Sequence, residues 1–196
     1  MSDRPVFDAI RRRRVTRNFD ERPVARDALT DLLEAARWAP GGGNSRLHKF
    51  VVIDDADTLD LIRLVSPGME ERPPALIAVC TDLEVCERQG VDLELDSVAI
   101  IDVGTATMNM MLAAQELSLG TCPTTSFSRS GVAAALRLPE HLRPELLLQV
   151  GRRGEVPRRR RPGTRINIDD LAHWGAYQSD RSGRDAPSKR DSHRSD

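Results

Sequence analysis

The stretch SVAIIDVGTATMNMMLAAQEL, residues 97–117, decides the architecture. It is the longest helical pattern in the chain, and it is apolar on nearly every side: Val98, Ile100, Ile101, Val103, Met108, Met110, Met111 and Leu112 leave no polar face. A helix hydrophobic all round is covered all round, in the centre of a domain or at a subunit interface. Gly104, Ala106, Ala113 and Ala114 allow a neighbour to approach closely. Downstream, Leu119 to Thr124 reads as a short strand, Ser130 to Leu136 as a short helix and Glu145 to Val150 as a strand; Arg152 to Asp169 is an arginine-rich extension. Upstream lie a polar stretch from Asp82 to Asp96, a strand from Pro74 to Thr81 and a helix from Thr58 to Val65 that ends at the Ser66-Pro67-Gly68 turn. Lys49 to Asp54 is a further strand. Ala25, Leu29, Leu32, Leu33 and Ala36 recur at helical spacing before Pro40-Gly41-Gly42-Gly43, and Pro5 to Arg14 forms a short first helix. Short strands separated by helices predict an α/β or α+β domain.

The chain has 196 residues, 39% hydrophobic and 30% charged, enough for one domain with a core that needs neither disulfides nor structural metal. The apolar runs are too short for a membrane span, and the N-terminus lacks an export core, so the expected compartment is cytoplasmic. The formal net charge of −1 gives no overall field for nucleic acid or an anionic membrane, and neither is expected as a partner. Residues 178–196 contain no aliphatic side chain larger than Ala186 and no aromatic, which predicts a disordered polar tail after a folded domain spanning 1–177. Cys80, Cys86 and Cys122 show no C-x-x-C spacing, so no metal site is expected and all three read as small buried hydrophobes.

No hydrolytic set is present: His48, His141, His173 and His193 lie in unrelated contexts, without G-x-S-x-G or H-E-x-x-H. The glycines at 41–43 follow a helix and precede a strand, the reverse of a phosphate-binding loop, and read as a helix cap and turn. Asn44 and Arg46 are the functional candidates there. The basic residues are almost all arginine and gather in two runs, Arg11 to Arg14 with Arg17, and Arg158 to Arg161. One guanidinium from each run can clamp a phosphomonoester, because its fork matches phosphate oxygens in pairs.

Taken together these segments resemble the FMN-dependent nitroreductase family. The carrying pieces are IRRRRVTRNFD at 10–20, LLEAARWAPGGGNS at 32–45, KFVVID at 49–54, DVGTATMNMMLAAQELSLGTCP at 102–123, LRLPEHLRPELLLQVG at 136–151 and PRRRRP at 157–162. The resemblance implies an α+β fold with a central, mostly antiparallel sheet flanked by helices. It also implies an intertwined homodimer built across the long helix, with two FMN molecules at the interface. By position, Arg13, Arg14 and Arg17 fall where the family contacts phosphate, ribityl chain and pyrimidine edge, with Val15 where a serine is usual. Asn44 matches the asparagine that approaches the flavin, and Arg46-Leu47-His48 replaces Gln-Pro-Trp. Pro123, Thr124, Thr125 and Ser126 fall against the isoalloxazine near N5, and Arg158 and Arg160 match the basic pair closing over the phosphate.

The implied activity is ping-pong: NADH or NADPH gives hydride to N5, and an electron-poor acceptor, a nitroaromatic or quinone, takes it. The flavin carries the chemistry, and no side chain is assigned a catalytic role. Residues 66–68, 74–82, 122–127 and 138–147 also resemble the catalytic subunit of cyclodipeptide oxidases, which implies a flavin-dependent desaturase with a small partner subunit as an alternative. That group's Tyr and Lys at the start of the long helix are absent here. A non-catalytic flavin-binding protein is the remaining alternative.

Overall fold

The computed structural model describes residues 4–155 and 166–177. Contacts divide the chain into two units, 1–156 and 157–196. In the second unit the described residues form a short turn at Ile168–Asp170, capped reciprocally by Asn167 and Asp170, and His173 lies against Tyr177. The expected tail and the arginines at 158 and 160 lie outside the described residues.

The first unit is built on an antiparallel sheet of four strands, β1 (His48–Ile53), β2 (Ala75–Asp82), β3 (Gly120–Thr124) and β4 (Leu142–Gly151), in the order β1-β2-β4-β3. The helices are α1 (Pro5–Arg12), α2 (Arg26–Arg37), α3 (Ala56–Leu64), α4 (Leu83–Arg88), α5 (Val98–Glu116) and α6 (Arg129–Ala135). Strand residues alternate between two faces. Ala75, Ile77 and Val79 of β2 and Leu148 and Val150 of β4 pack with Leu29, Leu32 and Ala36 of α2 and Val103, Ala106 and Met110 of α5. Leu76, Ala78, Cys80 and Leu147 pack on the opposite face with Leu59 and Ile62 of α3 and Val132 of α6. β2 is buried along its whole length, as a central strand covered on both faces must be.

The α+β class and the antiparallel sheet agree with the expectation; several boundaries differ for physical reasons. The first helix stops at Arg12, because Arg13 turns to extended backbone (φ −53°, ψ 131°) and Val15 then pairs with Thr121. The polar stretch after β2 contains α4, whose start is fixed by the Asp82 carboxylate accepting from Val85 N–H (3.1 Å) and whose buried contact is Cys86. β4 begins three residues earlier than the pattern implied. Leu146 opposes Val79 and Pro144 opposes Cys80, so Glu145 is the extra residue of a bulge. Its buried carboxylate is held by Arg129 (2.8 Å) and Arg143 (2.5 Å).

Within its own chain α5 is covered on one side only. Ala99, Asp102, Val103, Ala106, Met110 and Ala114 face inward, while Ile100, Ile101 and Met108 are 50%, 59% and 45% exposed. Among the described residues α5 is the one helix long and apolar enough to cross a bilayer, yet its inner face is part of the core.

Candidate active site

Two groups of expected residues are held in different ways. The first lies along β3. Val15 bridges Thr121 in parallel, with Thr16 N–H donating to Thr121 O (2.9 Å); Phe19 then pairs with Arg153, and Asp20 N–H donates to Arg152 O (3.0 Å). Residues 15–20 therefore run along β3 and over the end of β4. Thr16 points inward so closely that a Cβ on Gly120 would lie 2.5 Å from its Oγ1. Arg17, the next residue, is exposed, and Arg13 is half-buried.

No carboxylate among the described residues pairs with Arg13, Arg14 or Arg17. Asp20, close by in sequence, is engaged by Arg22 through N–H (2.7 Å) and Nε (2.6 Å), and the Arg22 side chain holds its carboxyl down to about 2. Arg14 folds back to donate to Arg11 O (2.5 Å) and Arg13 O (2.8 Å). Further along β3, Gln149 Nε2 donates to Thr124 Oγ1 (2.7 Å) in the buried interior, and Pro123 sits on the outer strand, where a missing N–H costs no central ladder bond. Thr125 and Ser126 are exposed. Their loop is tied to residues 65–68 through Gly68 N–H to Ser126 O (3.0 Å) and Ser128 N–H to Val65 O (2.8 Å).

The second group is the glycine loop. α2 closes at Trp38 and Ala39, and the glycines form a separate turn, Gly42–Asn44, with Gly43 at φ +58°, a backbone state that favours glycine. Asn44 is the last residue of this turn. Gly42 N–H donates to Asp102 Oδ1 (3.0 Å) and Oδ2 (3.3 Å), Thr105 Oγ1 donates to Pro40 O (3.1 Å), and Arg46 Nη1 reaches Ala39 O (3.4 Å). Asp102 was not among the site residues drawn from the sequence. Its only signal was a lone acid inside an apolar helix.

Behind the loop, His48 is buried opposite Thr81, and among the described residues neither His48 Nδ1 nor Thr81 Oγ1 has a hydrogen-bond partner. Burial pushes the His48 pKa below 6.5, against the opposing pull of the Asp102 charge.

The structure brings Arg13, Val15 and Arg17 to the edge that β3 and residues 123–126 also occupy. It does not bring Asn44 and Arg46 there. From Thr121, through Val150 and Ala75, to the level of His48 and Thr81 is six residues of β2, roughly 20 Å along the strand at ~3.3 Å per residue. β3 and β1 are three strand spacings apart, roughly 14 Å at ~4.8 Å each, so the arginine edge at Val15 and Thr121 lies about 25 Å from the start of β1, while Thr124, level with Ala78, lies about 17 Å from it. A cleft of about 550 Å³ lined by Phe19, Pro23, Asp54, Arg63, Arg72 and Pro74 contains none of the expected residues.

This arrangement of helices on an antiparallel sheet is that of a known class. The sequence profile of the nitroreductase family matches residues 10–80 and 64–152, and the chain belongs to that family. A Methanothermobacter thermautotrophicus protein provisionally named NADH dehydrogenase/NAD(P)H nitroreductase is 28% identical over 175 residues, 86% of this chain and 85% of that protein. The FMN reductase [NAD(P)H] of Bacillus subtilis is 25% identical over 202 residues, covering 90% and 81%. Among solved structures, B. megaterium NfrA1 superposes with a TM-score of 0.77 at 23% identity, over 88% of this chain and 75% of that one. A Clostridium difficile 630 nitroreductase family protein gives 0.74 at 24% identity, over 90% and 100%. The fold is therefore the nitroreductase fold.

Proposed function

We propose that the chain is an FMN-dependent NAD(P)H oxidoreductase that works as a homodimer, each flavin lying between the arginine edge of one copy and the glycine loop of the other. The observation that carries this reading is the separation of about 25 Å between the arginine edge and the start of β1, which follows the glycine loop, longer than the mononucleotide that edge and loop are both expected to touch. A second copy supplies the missing half. Exposed apolar side chains support the pairing: Ile100, Ile101 and Met108 on α5, and Val6, Phe7 and Ile10 on α1.

The residues fit the group. Arg13, half-buried, and Arg17, exposed, are guanidiniums that no carboxylate among the described residues neutralises, which suits a phosphate dianion. Arg158 and Arg160 are assigned to the same phosphate. Bound FMN supplies the two-electron chemistry, receiving hydride from NADH or NADPH and passing it to an electron-poor acceptor of nitroaromatic or quinone type. The chain's own part is to hold and orient. Gln149 fixes Thr124, and the Gly68 and Val65 backbone fixes the loop that presents Thr125 and Ser126. Arg46, on the loop of the second copy, and Arg17 bring positive charge to the pyrimidine edge, where it stabilises negative charge on reduction.

An absorbance spectrum of the purified protein, followed by anaerobic addition of NADPH or NADH, tests the reading. A flavin band near ~450 nm that bleaches supports a reductase. A bound flavin that neither nucleotide bleaches favours the desaturase alternative, and no flavin after addition of FMN contradicts the proposal.

A further inference from the structure

The glycine loop is moulded onto one helix. Val98, Asp102 and Thr105 stand at intervals of four and three on α5, one stripe of its surface, and each acts on the backbone of residues 40–42. Val98 Cγ2 fills the space where a Cβ on Gly42 would sit, at 2.1 Å. The Thr105 hydroxyl is shared between Pro40 O (3.1 Å) and Asp102 O of its own helix (3.0 Å), and the Asp102 carboxylate holds Gly42 N–H through both oxygens.

Asp102 is 2% exposed and is the one charged residue of α5 before Glu116. A buried carboxylate is costly unless well hydrogen-bonded, and an apolar residue of similar volume at such a position is often neutral or stabilising. Packing α5 against the core therefore gives no reason for an acid here; the shape of the loop does.

We propose that Asp102 is a positioning residue, which sets the Gly41–Arg46 loop so that Asn44 and Arg46 meet the flavin held by the arginine edge of the second copy. This rests on the FMN reading and on the two-copy site above. One helix then does two things: its outer face, with Ile100, Ile101 and Met108, is offered to the second copy, and its inner face sets the loop that must cross to it. Because both faces belong to one rigid element, the loop is placed by the same packing that forms the pair.

The test uses the full chain with Asp102→Asn, Asp102→Leu and Thr105→Val. Asp102→Asn keeps an oxygen to accept from Gly42 N–H, so its FMN dissociation constant stays within about threefold of wild type. Asp102→Leu loses the acceptor, weakens FMN binding by about tenfold or more, and speeds hydrogen exchange at the Gly42 amide of the flavin-free protein. Thr105→Val removes the second clamp alone and weakens binding by about threefold, which keeps the test decisive should the leucine variant not fold. Wild-type FMN affinity and slow Gly42 exchange in Asp102→Leu overturn the proposal, and so does an Asp102→Asn protein as impaired as Asp102→Leu. A wild-type chain that binds no FMN overturns the flavin reading and the proposal with it, a result distinct from unchanged binding in the variants.

Discussion

The arginine edge and the glycine loop are built by opposite means. Residues 15–20 are held by backbone, pairing with Thr121, Arg152 and Arg153, and the Arg17 guanidinium is left outside. Residues 40–46 are held by side chains of α5, with a buried carboxylate at the centre. The difference predicts where each tolerates change. On the edge, side chains can be exchanged without disturbing the strand that carries them, so substitutions act on the ligand. At the loop the side chains are the fastening, so substitutions act on shape first and on the ligand through it.

The largest expected effect joins the two regions by removing the surface that would let them meet. Ile101→Glu with Met108→Glu puts two carboxylates on the exposed apolar stripe of α5. A monomer that keeps its far-ultraviolet circular dichroism yet retains no FMN is the expected result, read by sedimentation and flavin absorbance. A flavin-loaded monomer breaks the comparison, since one chain would then complete the site.

A second substitution sharpens the contrast between backbone and side-chain fastening. Gly42→Ala drives a Cβ to 2.1 Å from Val98 Cγ2 and shifts the loop, weakening FMN binding by about tenfold. Val98→Ala in the same chain makes room and recovers most of that loss. Recovery without the second change, or none with it, refutes the loop contact as the cause.

The smallest effect comes from His48, behind the loop. Burial lowers its pKa in the folded chain, so the unfolded chain binds the extra proton first as the pH falls below about 6.5. Stability is therefore fully present above that pH and declines below it, toward the lowered folded value. Urea midpoints at pH 7.5 and 5.5 measure the decline, and His48→Gln flattens it. An equal decline in that variant assigns the acid sensitivity elsewhere.

Much of the architecture was legible because it is written in local periodicity. The apolar run at 97–117, the β-rich runs that become β1 and β2 and the Pro40–Gly43 break all appear where composition places them. Features set by contact did not. α4 rests on an Asp82 cap and a single buried Cys86 inside a polar stretch, too little for any pattern. The end of α1 is imposed by Val15 pairing with Thr121, more than a hundred residues away, which outweighs the helix propensity of the arginines. The site divides likewise. The arginines, the glycine loop and residues 123–126 stand out as motifs in a recognisable order. The role of Asp102 depends on a partner sixty residues off, and the separation of the two groups emerges only from sheet register.

The claim that a site needs two copies is tested most directly by mixing two defective chains. One carries Arg13→Ala and Arg17→Ala, the other Gly42→Leu, and each alone is expected to hold little FMN. In a heterodimer one site joins both defects and the other joins two intact halves. Random pairing, confirmed by native mass spectrometry, therefore restores flavin to about a quarter of all sites, and NADPH or NADH bleaches it. Heterodimers that form yet recover no flavin would contradict the account.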